Sequence, residues 1–306
     1  MRLVFAGTPA AAIPTLRALA GSHDIAAVIT RPDAPLGRKR VLTPSPVAQV
    51  ADDLGLPVIK AARLDDDVTS RIAALRPELG VIVAYGGLVR EPLLQTPAHG
   101  WINLHFSLLP QWRGAAPVQR ALIAGDAELG ASVFQLVPAL DAGDVFAMRT
   151  VDIPADATAD VALHVLAEDG AALTAEVVAG IADGTARAVP QEGVPTTAPK
   201  LTLDDGALDW HLPLEAVYSR FRGVTPEPGA HTTIGGLRVK VLEAAPAAEA
   251  DELDPGRITA TKHAVLIGTA TRPLAVTRVQ PAGKAAMSAT DWWRGLRADD
   301  AVRAGA

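Results

Sequence analysis

Cysteine is absent from the 306 residues, and with it go disulfides, thiolate nucleophiles and Cys-ligated metals. No HxxxH or HxH pair offers another ligand set, so metal binding has no support. A GxGxxG fingerprint is missing after the first strand signal, which argues against a dinucleotide cofactor. No apolar run is long enough to span a bilayer. The start, Met1-Arg2-Leu3-Val4-Phe5-Ala6-Gly7, reads as a strand and turn without the apolar segment of a signal peptide. A cytoplasmic protein is therefore expected. Cationic excess is lacking too: a net charge of −6 argues against a general nucleic-acid-coating role and leaves room only for a local basic loop. Low-complexity tracts and internal repeats are not evident. What remains, 49% apolar and 20% charged residues, predicts a globular chain, and its length suggests two domains.

Strand and helix signals alternate through the first half. Short apolar runs at residues 2–6, 25–30, 57–59 and 80–85 are separated by helical stretches at 10–20, 46–54 and 65–75. That rhythm predicts a mostly parallel sheet with crossover helices. Further strands are expected at 101–105 and 131–137, an edge strand at 148–153, and helices at 118–124 and 161–181. After 183 glycine, proline and threonine thin the pattern. Beyond that, short strand-like pieces at 238–242, 256–259, 264–267 and 274–279 suggest a small β-barrel or sandwich. It contains one clear helix at 214–222 and a last helix, capped by Ser288, carrying Trp292 and Trp293.

Residues 31–46 interrupt this pattern. Five prolines and glycines are expected to prevent regular structure, and Arg31, Arg38, Lys39 and Arg40 form the densest basic patch in the chain. Most short charge runs are solvated loops. A glycine beside Arg-Lys-Arg would also let the backbone approach a polyanion. Both readings stand at this level.

The stretch most suggestive of chemistry is residues 101–114. On a strand, Asn103 and His105 alternate with Ile102 and Leu104, so both polar side chains share a face. Two hydrogen-bond donors aimed at one point suit a site that stabilises an oxyanion. Asp141, in a Gly-containing loop with Asp144 directly after a strand, adds a carboxylate that would raise the imidazole pKa and orient the ring. Ligands in open α/β sheets bind at such strand ends. A Ser-His-Asp hydrolase with Ser107 as nucleophile fails on context, because Ser107 precedes Leu-Leu-Pro and sits in no Gly-x-Ser-x-Gly elbow. His105 as a satisfied structural histidine stays open.

Asn103-Leu-His105-Phe-Ser107-Leu-Leu-Pro110, followed by Trp112-Arg-Gly-Ala-Ala-Pro117-Val-Gln119 and Leu140-Asp-Ala-Gly-Asp144, resembles the folate-dependent formyltransferases. The opening Phe5-Ala-Gly-Thr-Pro9, Val83-Ala-Tyr85-Gly86, Ala198-Pro-Lys200 and Gln280-Pro-Ala-Gly-Lys284 match the same family, so the resemblance runs nearly end to end. It implies an α/β, Rossmann-like catalytic domain with a mostly parallel sheet over residues 1–184. A linker at 185–203 and an OB-like β-barrel over 204–306 would follow. The implied donor is 10-formyltetrahydrofolate, with no metal. Members of the most similar branch formylate the α-amine of methionine carried on initiator tRNA. By motif position Asn103 and His105 would stabilise the oxyanion, with Asp141 holding His105. Ser107, Leu108, Leu109 and Pro110 would form part of the folate pocket, and Arg38, Lys39 and Arg40 would reach the tRNA. The family implies a monomer. Sugar-nucleotide formyltransferases share the His-x-Ser-Leu-Leu-Pro block, and Arg113-Gly-Ala-Ala-Pro117-Val-Gln119 favours the tRNA branch. Phe106 stands where the family usually has a small residue.

Overall fold

The computed structural model describes residues 1–37, 40–296 and 302–305. Its contacts divide the chain into two units. The first contains Met1–Pro117, Glu128–Asp152 and Leu163–Ala198; the second contains Val118–Ala127, Ile153–Ala162 and Pro199–Ala306.

In chain order the strands of the first unit are β1 (Arg2–Gly7), β2 (Asp24–Thr30), β3 (Ala34–Leu36), β4 (Val41–Thr43), β5 (Val58–Lys60), β6 (Leu79–Val83), β7 (Trp101–His105), β8 (Arg113–Gly114), β9 (Leu129–Gln135), β10 (Val145–Val151) and β11 (Thr197–Ala198). Helices α1 (Ile13–Ala20), α2 (Pro46–Asp53) and α3 (Asp66–Leu75) alternate with the early strands; of the later helices, α4 (Pro117–Ala124) belongs to the second unit from Val118 on, and α5 (Ala159–Ala182) belongs to the first from Leu163 on. Seven strands form one sheet in the order β10-β9-β7-β6-β1-β2-β5. β7, β6, β1, β2 and β5 run parallel, as the alternation predicts. β9 is antiparallel to β7, and β10, antiparallel to β9, forms the expected edge three residues earlier than anticipated. Leu3, Val4, Phe5 and Ala6 of the central strand are fully buried, the continuous apolar run of a strand covered on both faces.

Helix entries follow local chemistry. Ser45 caps α2 by accepting the Ala48 N–H at 3.0 Å, and Asp65 caps α3 by accepting the Val68 N–H at 3.1 Å. Two expectations change. Residues 10–12 of the first helix are a 3-10 turn that precedes α1. The proline-rich stretch 31–46 is not wholly irregular: β3 and β4 pair antiparallel, Ala34 with Thr43 and Leu36 with Val41. Proline is tolerated there because this two-stranded sheet has only edges. Residues 185–203 carry ordered contacts of their own. Val189 bridges Val145, and β11 pairs in parallel with β8.

The second unit holds β12 (His231–Ile234), β13 (Leu237–Pro246), β14 (Ile258–Ala260), β15 (Val265–Ile267), β16 (Leu274–Pro281), β17 (Met287–Ser288), α6 (Leu214–Gly223) and α7 (Ala289–Leu296). The antiparallel sheet runs β12-β13-β16-β15-β14, with β17 on β16. β12 escapes the sequence reading although Gly235-Gly236, both at positive φ (58° and 70°), is a strong two-residue hairpin signal. Two register shifts around Glu243 bend the ten-residue β13. The chain's last described residues then bridge both edges: Ala304 pairs with Ile234 at the end of β12, and Arg303 with Arg257 just before β14. This curled, nearly closed sheet is the barrel-like domain expected. Its interior holds Trp210, Phe221, Val239, Leu274 and Trp292, and Ser288 accepts the Asp291 N–H at 3.4 Å at the start of α7.

Candidate active site

Chain order places β2 and β5 on one side of β1 and β6 and β7 on the other. The reversal lies between β1 and β6, and open α/β sheets bind ligands near that point at the carboxyl ends of their strands. Beside it, between the segments that follow β6 and β7, lies a cavity of about 470 Å³. Its walls are residues 84–89 after β6, 103–106 at the end of β7, Gly114, Ala115 and Pro117, and the loop 136–141. The volume lies within the range of small-molecule sites.

Strand alternation puts Asn103 and His105 on the cavity side as expected, and both line it. The Oδ1 of Asn103 is buried with no hydrogen-bond partner among the described residues. A polar atom left unsatisfied inside a protein is costly; here the Asn103 side chain keeps hydrogen-bonding capacity at Oδ1 on the cavity wall.

His105 and Asp141 are almost fully buried, at 6% and 9% exposure. The His105 Nε2 lies 2.9 Å from the Trp112 carbonyl. A carbonyl only accepts, so Nε2 carries the proton and Nδ1 presents a lone pair. That lone pair faces Asp141 Oδ2 at 3.9 Å, beyond a hydrogen bond but close enough for strong electrostatic attraction once the ring is protonated. Burial pushes the His105 pKa below the usual histidine range, against the upward pulls of the Asp141 charge and the Trp112 carbonyl. The carboxylate thus acts in the expected direction, but desolvation outweighs it and the ring is neutral at pH 7. The Phe134 ring, nearly perpendicular to the imidazole and 6.4 Å away between centroids, contributes to the low-polarity surroundings.

Asp141 reaches this point by a route that the strand-end rule misreads. β9 is antiparallel, so the chain leaves it at the opposite end of β7, where the Leu136 N–H donates to the Trp101 carbonyl at 2.7 Å. Residues 136–141 then return to His105, lining the cavity as they come. Asp141 sits at φ 47°, and the Gly114 N–H donates to its Oδ2 at 2.7 Å. Gly114 has φ 129°, and a Cβ there would fall 2.7 Å from the Ala198 carbonyl oxygen, so glycine alone fits. Asp144 is exposed and outside the cavity lining.

The four residues expected in the folate pocket are placed differently from Asn103 and His105. None of Ser107, Leu108, Leu109 and Pro110 lines the cavity; of that loop only Phe106 does. Ser107 donates its hydroxyl to the Gln111 carbonyl at 2.6 Å, and the Ser132 hydroxyl joins the Ser107 carbonyl to the Leu109 N–H. Leu109 packs into a buried cluster with Phe134 and Val145. Replacing Ser107 by alanine is expected to lower stability by about 1 kcal/mol and to leave turnover within a few-fold of the parent. A steady-state assay showing loss of several orders of magnitude would restore Ser107 as a nucleophile.

Arg38 and Lys39 lie outside the described residues. Arg40 is exposed at φ 49° in the turn between β3 and β4, where Leu36, Val41 and Leu42 are also exposed. Arg31 is no part of a free basic patch. It donates to the Ala62 carbonyl at 2.7 Å and to the Gly86 carbonyl, with its guanidinium 5.7 Å from the Tyr85 ring centre. Tyr85 in turn donates to the Ala61 carbonyl at 3.0 Å, so Arg31 and Tyr85 together anchor the wall after β6. Among the described residues no cluster of three or more His, Asp or Glu is arranged to hold a metal ion, and no helix is long and apolar enough to cross a membrane.

The Formyl transferase family matches residues 1–178, and its C-terminal domain matches residues 200–297. The chain belongs to the formyltransferase family. A methionyl-tRNA formyltransferase of Clavibacter sepedonicus is 59% identical over 303 residues, covering 99% of both chains. One from Leifsonia xyli is 60% identical over 295 residues, 96% of this chain and 97% of the relative. The formyltransferase fold also recurs in the N-formyltransferase of Helicobacter canadensis, solved with folinic acid and dTDP-3-aminofucose. That structure has a TM-score of 0.70 at 14% identity, covering 90% of this chain and 98% of the other. At such identity the likeness speaks to the fold alone.

Two of the site residues that sequence reasoning missed act through backbone atoms. The Trp112 carbonyl and the Gly114 N–H fix His105 and Asp141, and neither function leaves a side-chain signature. Gln191, whose side-chain amide joins the Arg113 side chain to the Asp141 carbonyl, stands in a stretch read as linker.

Proposed function

We propose that this formyltransferase moves the formyl group of 10-formyltetrahydrofolate to the α-amine of methionine esterified to initiator tRNA, acting as a cytoplasmic monomer. The observation that carries the reading is full-length identity of 59% and 60% to methionyl-tRNA formyltransferases. The cavity supports it independently: it is mainly apolar, of ligand size, and is lined by the Asn103 side chain, whose buried Oδ1 has no partner among the described residues, beside a buried His-Asp pair.

Bound there, the folate supplies an electrophilic formyl carbon with a nitrogen leaving group. The chain supplies the rest. Asn103 donates its amide N–H to the formyl oxygen as negative charge develops on it, in a site where burial strengthens the interaction. His105 Nδ1 accepts the proton of the attacking amine and passes it toward the departing nitrogen. Asp141 stabilises the transient imidazolium, which burial alone would make too costly, and the Trp112 carbonyl holds the ring in the reactive tautomer. Low basicity of His105 serves this cycle, because a proton taken up is readily given on. No enzyme nucleophile is needed, as the substrate brings its own.

In this reading Ser107, Leu108, Leu109 and Pro110 serve the donor site by anchoring Phe106 and His105 at the cavity wall. The β3–β4 turn, with Arg38, Lys39 and Arg40, contacts the tRNA backbone. Arg40→Ala is expected to raise the KM for tRNA and to reduce the salt dependence of binding by about one unit of slope, with the KM for the folate donor unchanged. Equal loss for both substrates would make the turn structural. The deciding assay presents the purified protein and 10-formyltetrahydrofolate with methionyl initiator tRNA, elongator methionyl-tRNA and an amino-sugar nucleotide in parallel. Preferential formylation of the initiator is expected; turnover of the sugar alone would overturn the proposal.

A further inference from the structure

Gln191 has its side-chain amide fully engaged. Its Nε2 donates to the Asp141 and Gly143 carbonyls, both at 2.8 Å, and its Oε1 accepts from Arg113 Nη2 at 2.6 Å and Nε at 3.2 Å. Two donors and two acceptors are all that a glutamine amide commonly uses. One end grips the loop that carries the Asp141 carboxylate. The other grips the residue between Trp112, whose carbonyl holds His105 Nε2, and Gly114, whose N–H holds Asp141 Oδ2. Five residues on, Thr196 continues the grip: its hydroxyl accepts the Trp112 N–H at 2.8 Å and its carbonyl accepts the Arg113 N–H at 2.9 Å.

Resting on the reaction proposed above, we infer that Gln191 is a positioning residue, a clamp that sets the spacing of His105 and Asp141 without touching the substrate cavity. Gln191 is not among the cavity's lining residues, so it acts only through the two loops it joins. The spacing matters because it is poised. At 3.9 Å the carboxylate is outside hydrogen-bond range of Nδ1, and a movement of about 1 Å decides whether the imidazolium gains a charge-assisted hydrogen bond. Asp141 also stands in the left-handed region, at φ 47°, which its surroundings must enforce. Gln191 holds its carbonyl in that conformation.

The test is Gln191→Met, similar in length and without either hydrogen-bonding end. The expected result is a kcat lower by about 10–100-fold, with KM for folate and tRNA nearly unchanged. The His105 titration midpoint, followed by NMR on the substrate-free protein, should move to lower pH as Asp141 drifts away. A merely structural glutamine would lower the melting temperature and leave kcat of the folded protein and the His105 midpoint where they were; that result overturns the inference. Should the methionine variant not fold, Gln191→Asn keeps an amide one methylene too short to reach both sides, and a smaller change of the same kind is expected, its absence counting against the clamp. The titration needs no substrate, so it judges the clamp even if the parent protein formylates no tRNA, whereas that failure would judge only the proposed reaction.

Discussion

Replacement of His105 by glutamine is expected to lower kcat by about 10²–10⁴-fold while the protein keeps its fold. Glutamine is the informative choice because its amide N–H can still donate to the Trp112 carbonyl, the bond that His105 Nε2 makes at 2.9 Å. What disappears is the lone pair on Nδ1 and the capacity to hold a proton. Single-turnover formylation separates this chemical step from product release, and circular dichroism with thermal melting checks the fold. Because burial holds the His105 pKa below the usual histidine range, Nδ1 is available at neutral pH in the parent protein. Turnover should therefore fail on the acid side, as the ring becomes protonated, and not on the alkaline side. The substrate amine must also be unprotonated, so the enzyme's own limb is read best by NMR titration of the ring. A glutamine variant working within about threefold of the parent would remove His105 from the chemistry, since general acid–base groups contribute far more than that.

Asp141→Asn should lower kcat by about 10²–10³-fold, the scale on which single electrostatic stabilisers act. Asparagine Oδ1 can still accept the Gly114 N–H, now at 2.7 Å to the aspartate, so the loop keeps its anchor and only the charge is lost. The sign of the accompanying titration follows from the opposing influences on His105. Desolvation lowers its pKa and the Asp141 charge raises it; with the charge gone the midpoint must fall further. An upward shift, or none, would show that the 3.9 Å approach carries no electrostatic coupling and that Asp141 serves the loop alone. With folate bound to the parent and to the variant alike, the same experiment separates loss of turnover from loss of binding.

Much of the site is legible before any coordinates. Asn103 and His105 declare themselves because a strand has a period of two, and alternation with Ile102 and Leu104 places both on one face. Ser107 is excluded as a nucleophile by its neighbours, and the structure supplies the reason in its bond to Gln111. The hairpin β3–β4 is concealed because its prolines read as breakers, whereas a strand with no central position can hold them. Arg31 looks like a member of a basic patch, and only folding brings it beneath Gly86 and Tyr85.

Local chemistry along the chain is enough to indicate the parallel α/β layer, the barrel- or sandwich-like second region, and an amide, an imidazole and a carboxylate as a candidate set. Each depends on periodicity or residue type, which neighbours in sequence carry. Strand direction is different. Nothing local distinguishes β9 from a parallel strand, so Asp141 was found as a carboxylate after a strand, while its path back to His105 needed the antiparallel register of β9 on β7. The protonation of His105 is likewise a property of burial and of a carbonyl seven residues away. The clamp on that pair joins Arg113, Asp141 and Gln191. Such contacts join groups far apart in the chain, where spacing in sequence holds no information about distance in space.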